Sequence, residues 1–376
     1  MSVQFIGSVE FIGMISARKI SEIHPPTAPV VDRDYIRSFT QAHEEAGFDR
    51  ILVPYHSHDA DTVLIGSFAA AVSERIGLML AHRPGFVAPS LAARAFATLD
   101  QITGGRVAIH VISGGDDGEQ QRDGDFLGHD ERYARTDEYV DILRQIWTSE
   151  APIDYQGAFY RLKGSFAEVK PVQKPHVPIY FGGSSDAAIE VAGKHADIYA
   201  LWGETHAQVR ETIGKVRDSA ERHGRDPQSI RFSLSFRPIL GKTEAEAWER
   251  AHAIVETIKQ VRGQAALGPS TGLPANTGSQ RLLDAAAQGD VLDKRLFTAI
   301  ARLTGARGNT TALVGTAEQV ADALLDYYDL GVTTFLIRGF DPLEDVVDYG
   351  RELIPLVRKQ AAQRGYKSQS VLEAVG

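Results

Sequence analysis

Residues 76–115 read IGLMLAHRPGFVAPSLAARAFATLDQITGGRVAIHVISGG. Residues 76–81 (IGLMLA) form a continuous apolar run of strand length, and 106–113 (RVAIHVIS) form a second one. Between them, 90–102 carry apolar residues at helical spacing, and Gly104–Gly105 mark where that helix stops. A strand that is apolar on both faces belongs in a sheet covered on both sides. A helix linking two such strands makes the strands parallel neighbours.

The same unit recurs in both directions. Toward the N-terminus lie a strand within 4–15, a helix over 32–46 stopped at Gly47, a strand over 50–54 (RILVP) and a helix over 61–73. Toward the C-terminus come a helix over 131–147, a hairpin around DYQGAFYRL, and strands over 179–183, 198–202, 232–240 and 333–339. Helical stretches over 206–223, 244–261 and 343–358 alternate with these strands, and Ser184 is placed to cap the helix after 183. Eight strand–helix units predict a closed (β/α)8 TIM barrel in one domain spanning 1–376. The first strand is not followed by GxGxxG, so a dinucleotide fold has no support. Residues 262–307 break the rhythm. The stretch GQAALGPSTGLPANTGSQ lacks apolar period and reads as a mobile insertion loop followed by a helix, either a surface insertion or a lid over the site.

Composition narrows the function. The 376 residues are 43% hydrophobic and 24% charged, an ordinary globular balance. A net charge of −9 argues against nucleic acid as a partner. With no cysteine there is no disulfide, thiolate metal site or cysteine nucleophile. The apolar N-terminus MSVQFIGSVEFIGMIS lacks a basic n-region and a small-residue cleavage site, and no run is long enough to span a membrane, so the expectation is a soluble cytoplasmic protein.

Barrel chemistry sits at the C-terminal ends of the strands. There the sequence offers Tyr55, His56, Ser57, His58 and Asp59; Ala81, His82 and Arg83; His110 and Ser113; Gly182–Ser185; Trp202; Ser235 and Arg237; and Arg338, Phe340 and Asp341. Carboxylates are few, which argues against a paired-carboxylate hydrolase. His56 and His58 form an HxH pair that a metal-dependent barrel hydrolase could use, but no third histidine matches them. The turn GGSS suits a phosphate, because glycines admit backbone N–H groups, serines donate and the helix N-terminus favours negative charge. It also serves as an ordinary helix cap.

Four long stretches carry a resemblance: AARAFATLDQITGGRVAIHVISGG, GDFLGHDERYARTDEYVDILRQIW, PIYFGGSSDAAIEVAGKHADIYALWGE and NTTALVGTAEQVADALLDYYDLGVTTFLIRGF. They run in the order found in the bacterial luciferase-like flavin monooxygenases, and the chain resembles the FMNH2-dependent alkanesulfonate monooxygenases over nearly its whole length. The resemblance implies reduced FMN delivered by a separate NAD(P)H:flavin reductase, dioxygen, a small-molecule substrate, and a homodimer or homotetramer. It implies a flavin phosphate on Tyr133, Gly183, Ser184 and Ser185, a His129/Tyr133 pair on the flavin, and His56 or His58, Ala81 and Ser113 along the isoalloxazine.

On the substrate side Trp202 matches the family's tryptophan, while an arginine and a histidine of strand seven are replaced by Ser235 and Arg237. A tyrosine and a histidine after the last strand become Phe340 and Pro342, a cysteine after strand two becomes Asp59, and Arg307 nearly matches a lid arginine. The expected substrate residues are thus Trp202, Arg237, Arg307 and Arg338, with Arg237 serving either an anionic head group or a structural ion pair. The implied reaction is oxidation of a small organosulfur compound, with desulfonation of an alkanesulfonate to aldehyde and sulfite as the leading case. A sulfone, an amine, a heterocycle, or F420-dependent oxidoreduction are the alternatives.

Overall fold

The computed structural model describes residues 9–264, 274, 276–308 and 310–364. Eight parallel strands close into a barrel: β1 (Glu10–Met14), β2 (Arg50–Val53), β3 (Gly77–His82), β4 (Val107–Ile112), β5 (Ile179–Gly182), β6 (Ile198–Trp202), β7 (Arg231–Leu240) and β8 (Val332–Ile337). Each pairs with the next in sequence, and β8 returns to β1 through Glu10↔Thr334 and Phe11↔Phe335. The predicted (β/α)8 architecture is the one observed. The first strand, expected within 4–15, is the shorter β1, and residues 4–8 lie outside the described ones.

Alternation along the strands sorts the core into two shells. Outward-facing residues such as Phe11, Ile51, Leu78, Leu80, Val107, Ile109, Phe181 and Phe335 join the helices in one large apolar cluster. Inward-facing Ile12, Met79, Ala108, Tyr180 and Ile198 pack on one another and plug the barrel. The N-terminal end is tied by Glu10, which pairs with Arg50 at 3.0 Å and Arg231 at 3.5 Å. Helix boundaries follow local chemistry. Asp32 caps Arg33–Glu45 by accepting from Asp34 and Tyr35, and Thr205 and Gln208 form a capping box on His206–Arg222. Gly104, at φ 67°, ends Pro89–Thr103 in the left-handed conformation.

The insertion is more ordered than its composition suggests. The second half of β7 leaves the barrel and pairs with a strand over Ala312–Gly315 (Arg237↔Ala312 to Leu240↔Gly315). That strand pairs antiparallel with Leu296–Phe297, which pairs with Val291–Leu292. Helices Glu244–Gln264, Thr277–Gln288 and Ala299–Thr304 surround this extension, and Ile239, Ile254, Ile258, Phe297, Ile300 and Val314 give it an apolar core of its own. The expected loop falls on 265–273 and 275, outside the described residues.

Candidate active site

Accessibility changes abruptly along the barrel interior. The plug residues Ile12, Met79, Ala108, Tyr180 and Ile198 are sealed. One layer nearer the strand C-termini, the inward-facing Met14, Pro54, His110, Ile112, Gly182, Ala200, Trp202 and Arg338 all keep accessible surface. This layer outlines a recess at the C-terminal mouth. Ala81, Gly182 and Ala200 are the small inward-facing residues at this level.

The turn after β5 brings a glycine, two serines and a tyrosine together at the same end of the barrel. Gly183 has φ +145°, and a Cβ there would stand 2.7 Å from both Tyr133 Oη and Ala188 Cβ. Only glycine lets the backbone run that close to the tyrosine. Ser185 caps Asp186–His195 by accepting from Ala188 N at 3.2 Å, and its side chain meets the Tyr133 phenol. Burial pushes the Tyr133 phenol up despite the Ser185 hydrogen bond, so it stays a neutral donor. Tyr133 lies one turn into His129–Thr148, and the His129 ring meets it edge-on at 4.9 Å, while His129 Nδ1 pairs with Asp130 at 2.7 Å. Gly183, Ser184, Ser185, Tyr133 and His129 are therefore brought together. The donor set, a helix N-terminus, hydroxyls and a glycine that a side chain would fill, fits a phosphate.

The insertion reaches this same place. A Cβ on Gly278 would stand 3.0 Å from the Trp202 ring and 3.6 Å from the Ser184 hydroxyl. A Cβ on Gly115, after β4, would stand 2.9 Å from Asn276 Cβ. The start of Thr277–Gln288 thus lies across the mouth. Arg281 fastens it, with Nε and Nη2 donating to Glu204 at 2.8–3.0 Å.

The expected cations Arg237, Arg338 and Arg307 are all placed around Glu22. Arg237 is 0% exposed. Its Nη1 donates to Glu22 at 2.8 Å, Nη2 to Gly339 O at 2.8 Å and Nε to Arg338 O at 3.2 Å, over the Phe340 ring at 3.7 Å. Of its two expected roles the structural ion pair is the one these contacts form. Glu22, in the loop after β1, is the residue the sequence did not reveal, since nothing in its own neighbourhood marks a partner 215 positions away. Burial would raise its carboxyl, but Arg237 and Arg338 bring it down to about 2. Arg338 reaches Glu22 at 3.2 Å, and burial together with Arg237 lowers its guanidinium to about 10. Arg307 lines a cavity of about 310 Å³ with Glu22, Ile20, Arg262 and Thr310.

Ser113 was expected to line a ring system, yet it faces outward and hydrogen-bonds Thr136 of the surrounding helix at 2.9 Å. It sits one residue past β4, on the outward side of the alternation. Ala81 does face the floor, level with His110. His56 stands at the rim 3.5 Å from Glu119, and His58 stacks on it at 5.7 Å and is mainly exposed. Among the described residues no group of three or more histidines and carboxylates could hold a metal. Glu119 also meets the buried Arg83 at 2.9 Å, and these hydrogen bonds outweigh burial and hold its carboxyl at about 2. Among the described residues no helix is long and apolar enough to cross a membrane.

A closed (β/α)8 barrel whose glycine–serine turn after β5 lies at the strand C-termini has its donors where enzymes of this fold carry their sites. The particular family follows from comparison with known proteins. The luciferase-like monooxygenase model matches residues 9–334, and the chain belongs to that family of flavin-dependent enzymes. Solved structures share the fold across most of the chain. Riboflavin lyase (RcaE), solved with modified FMN and riboflavin, is 19% identical with a TM-score of 0.78, covering 98% of this chain and 95% of that one. EDTA monooxygenase (EmoA) from Chelativorans sp. BNC1 is 18% identical with a TM-score of 0.75, covering 97% of each. An F420-dependent secondary alcohol dehydrogenase is 20% identical with a TM-score of 0.68, covering 93% of this chain and 99% of that one.

Proposed function

We propose that this protein is the oxygenase of a two-component system, taking reduced FMN from a separate NAD(P)H:flavin reductase and using dioxygen to oxidise a small organosulfur compound. The observation that carries this reading is the cradle of Gly183, Ser184, Ser185 and Tyr133 opening onto an apolar recess. The cradle holds the flavin phosphate, with His129 bracing Tyr133. Ala81, Gly182 and Ala200 leave room for a planar ring, and His56 or His58 borders the rim. When bound, the flavin supplies the oxygen chemistry. The chain's own residues orient it, hold the substrate against Trp202 and Arg338, and keep water out under the insertion helix. Assembly as a homodimer or homotetramer is part of the same proposal.

Desulfonation of an alkanesulfonate to aldehyde and sulfite is the first reaction to test. Arg237 is fully buried against Glu22, and Arg338 pairs with the same carboxylate while keeping exposed surface; this favours an uncharged substrate, such as a sulfone or heterocycle, as the second reading. The assay supplies a flavin reductase, NADH, FMN and a panel of alkanesulfonates and sulfones. Sulfite release supports the first reading. Depletion of a sulfone without sulfite supports the second. Oxygen-independent turnover with F420 contradicts both.

A further inference from the structure

The cavity of about 310 Å³ lies between the loop after β1 and the insertion. Ile20, Pro25 and Pro26 line it on the loop side. Ile258 and Val261, in the last two turns of Glu244–Gln264, line it on the insertion side. A mostly apolar space of this size is a small-molecule site by volume, far above the gaps left by ordinary packing. Ile20 keeps 41% of its surface exposed, apolar area that an occupant would cover.

Both walls are fixed by hydrogen bonds. Ser21 Oγ donates to Phe340 O at 2.6 Å, and His24 Nε2 meets Asp341 at 2.8 Å, so the loop is pinned to the turn after β8. Arg262 donates to Leu303 O and Thr304 O, which pins the helix to Ala299–Thr304. Glu22 Oε1 accepts from Arg237 at 2.8 Å and Arg338 at 3.2 Å. Glu22 and Arg262 are thus engaged with protein groups, and an apolar group fits between the walls without breaking either set of contacts. A second cavity, of about 60 Å³, shares Ile20 and Ser21 with the first and is lined by Met14 and Arg338, which face inward at the mouth. Ile20 and Ser21 therefore stand between the larger cavity and the barrel mouth.

We propose that the larger cavity is a tail compartment for the substrate. It takes an apolar group of about ten non-hydrogen atoms, at the ~30 Å³ that one water molecule occupies. The reacting end of the same molecule passes Ile20 and Ser21 toward the mouth. In placing the reaction at the mouth, this rests on the function proposed above. Ile20, Ile258 and Val261 then set the length of substrate that the protein accepts.

The test titrates the full chain with 1-alkanols of four to eight carbons by calorimetry, on wild type, Val261→Phe and Ile20→Ala. Thermal melting first establishes that each variant folds, and FMN affinity is measured beside each titration. Affinity should rise about fourfold per added carbon in wild type, the worth of one buried methylene (about 0.8 kcal/mol). Val261→Phe fills the space and should weaken 1-octanol at least tenfold with FMN affinity unchanged. Ile20→Ala should flatten the slope. The chain has no cysteine, so Val261→Cys, a change of small volume, introduces a single thiol. Saturating 1-octanol should slow its alkylation by N-ethylmaleimide at least fivefold. Affinity independent of chain length, octanol binding indifferent to Val261→Phe, or an unprotected thiol overturns the tail compartment and leaves the flavin reading standing. Chain-length-dependent binding in a wild type that takes up no FMN overturns the flavin reading and leaves the compartment standing.

Discussion

At Gly183 one hydrogen atom in place of a side chain decides whether the cradle exists. With φ +145° and Tyr133 Oη 2.7 Å from the position of a Cβ, Gly183→Ala strains the backbone and displaces the phenol. The expected cost is about 1–3 kcal/mol of stability, with a loss of FMN affinity, read by urea unfolding and fluorescence titration. Unchanged affinity would remove the cradle from the account. Glu22 makes a second test. Glu22→Ala leaves Arg237 buried beside Arg338 without a carboxylate, a loss of about 3 kcal/mol or more, whereas a urea midpoint within error of wild type would show the pair to be dispensable. Two buried imidazoles, His43 and His82, are each held at about 4 by burial against an ordinary 6.5. The unfolded chain takes up these protons near pH 6.5 and the folded one only near 4, so protons favour unfolding between those values. Stability is therefore full above pH 6.5 and falls toward pH 4. The urea midpoint should drop measurably between pH 7 and pH 5, and a flat midpoint would contradict the burial of these rings. Gly183 and Tyr133 were legible because GGSS and the His129–Tyr133 spacing are local patterns. Glu22 and the outward turn of Ser113 were not, because each depends on a partner from another element.

The insertion helix Thr277–Gln288 is where element and site meet. Its composition suggested little order before it, yet an apolar face and the Arg281–Glu204 pair fix it across the mouth. Burial raises the Glu204 carboxyl, and the Arg281 hydrogen bonds oppose that shift. Arg281→Ala should speed backbone hydrogen exchange across 277–288 at least tenfold, with the barrel strands unaffected. Equal exchange in the variant would mean that packing of Leu282 alone holds the helix. The strand Ala312–Gly315 was hidden for a different reason. Four apolar residues before an amphipathic helix look like one more barrel unit, and only the second half of β7 leaving the barrel reveals where they pair.

For the whole molecule, alternation of apolar strands with helices sufficed to predict the closed barrel, since eight parallel strands buried on both faces have few other arrangements. The fold rule directs attention to the strand C-termini, and the local GGSS motif marks the turn after β5 there. The substrate did not follow, because the positions that would hold it, Ser235, Arg237 and Phe340, depart from the pattern of the sulfonate enzymes and one of them is tied to Glu22. On the function proposed above, reduced FMN binds at the β5 turn with its ring at the barrel mouth. The direct measurement is an anaerobic fluorescence titration with reduced FMN, oxidised FMN and F420, on wild type and on the double variant Ser184→Ala/Ser185→Ala. Micromolar binding that prefers reduced FMN and weakens at least tenfold in the variant is the predicted result. Preference for F420, or binding of reduced FMN that is indifferent to the two serines, would contradict it.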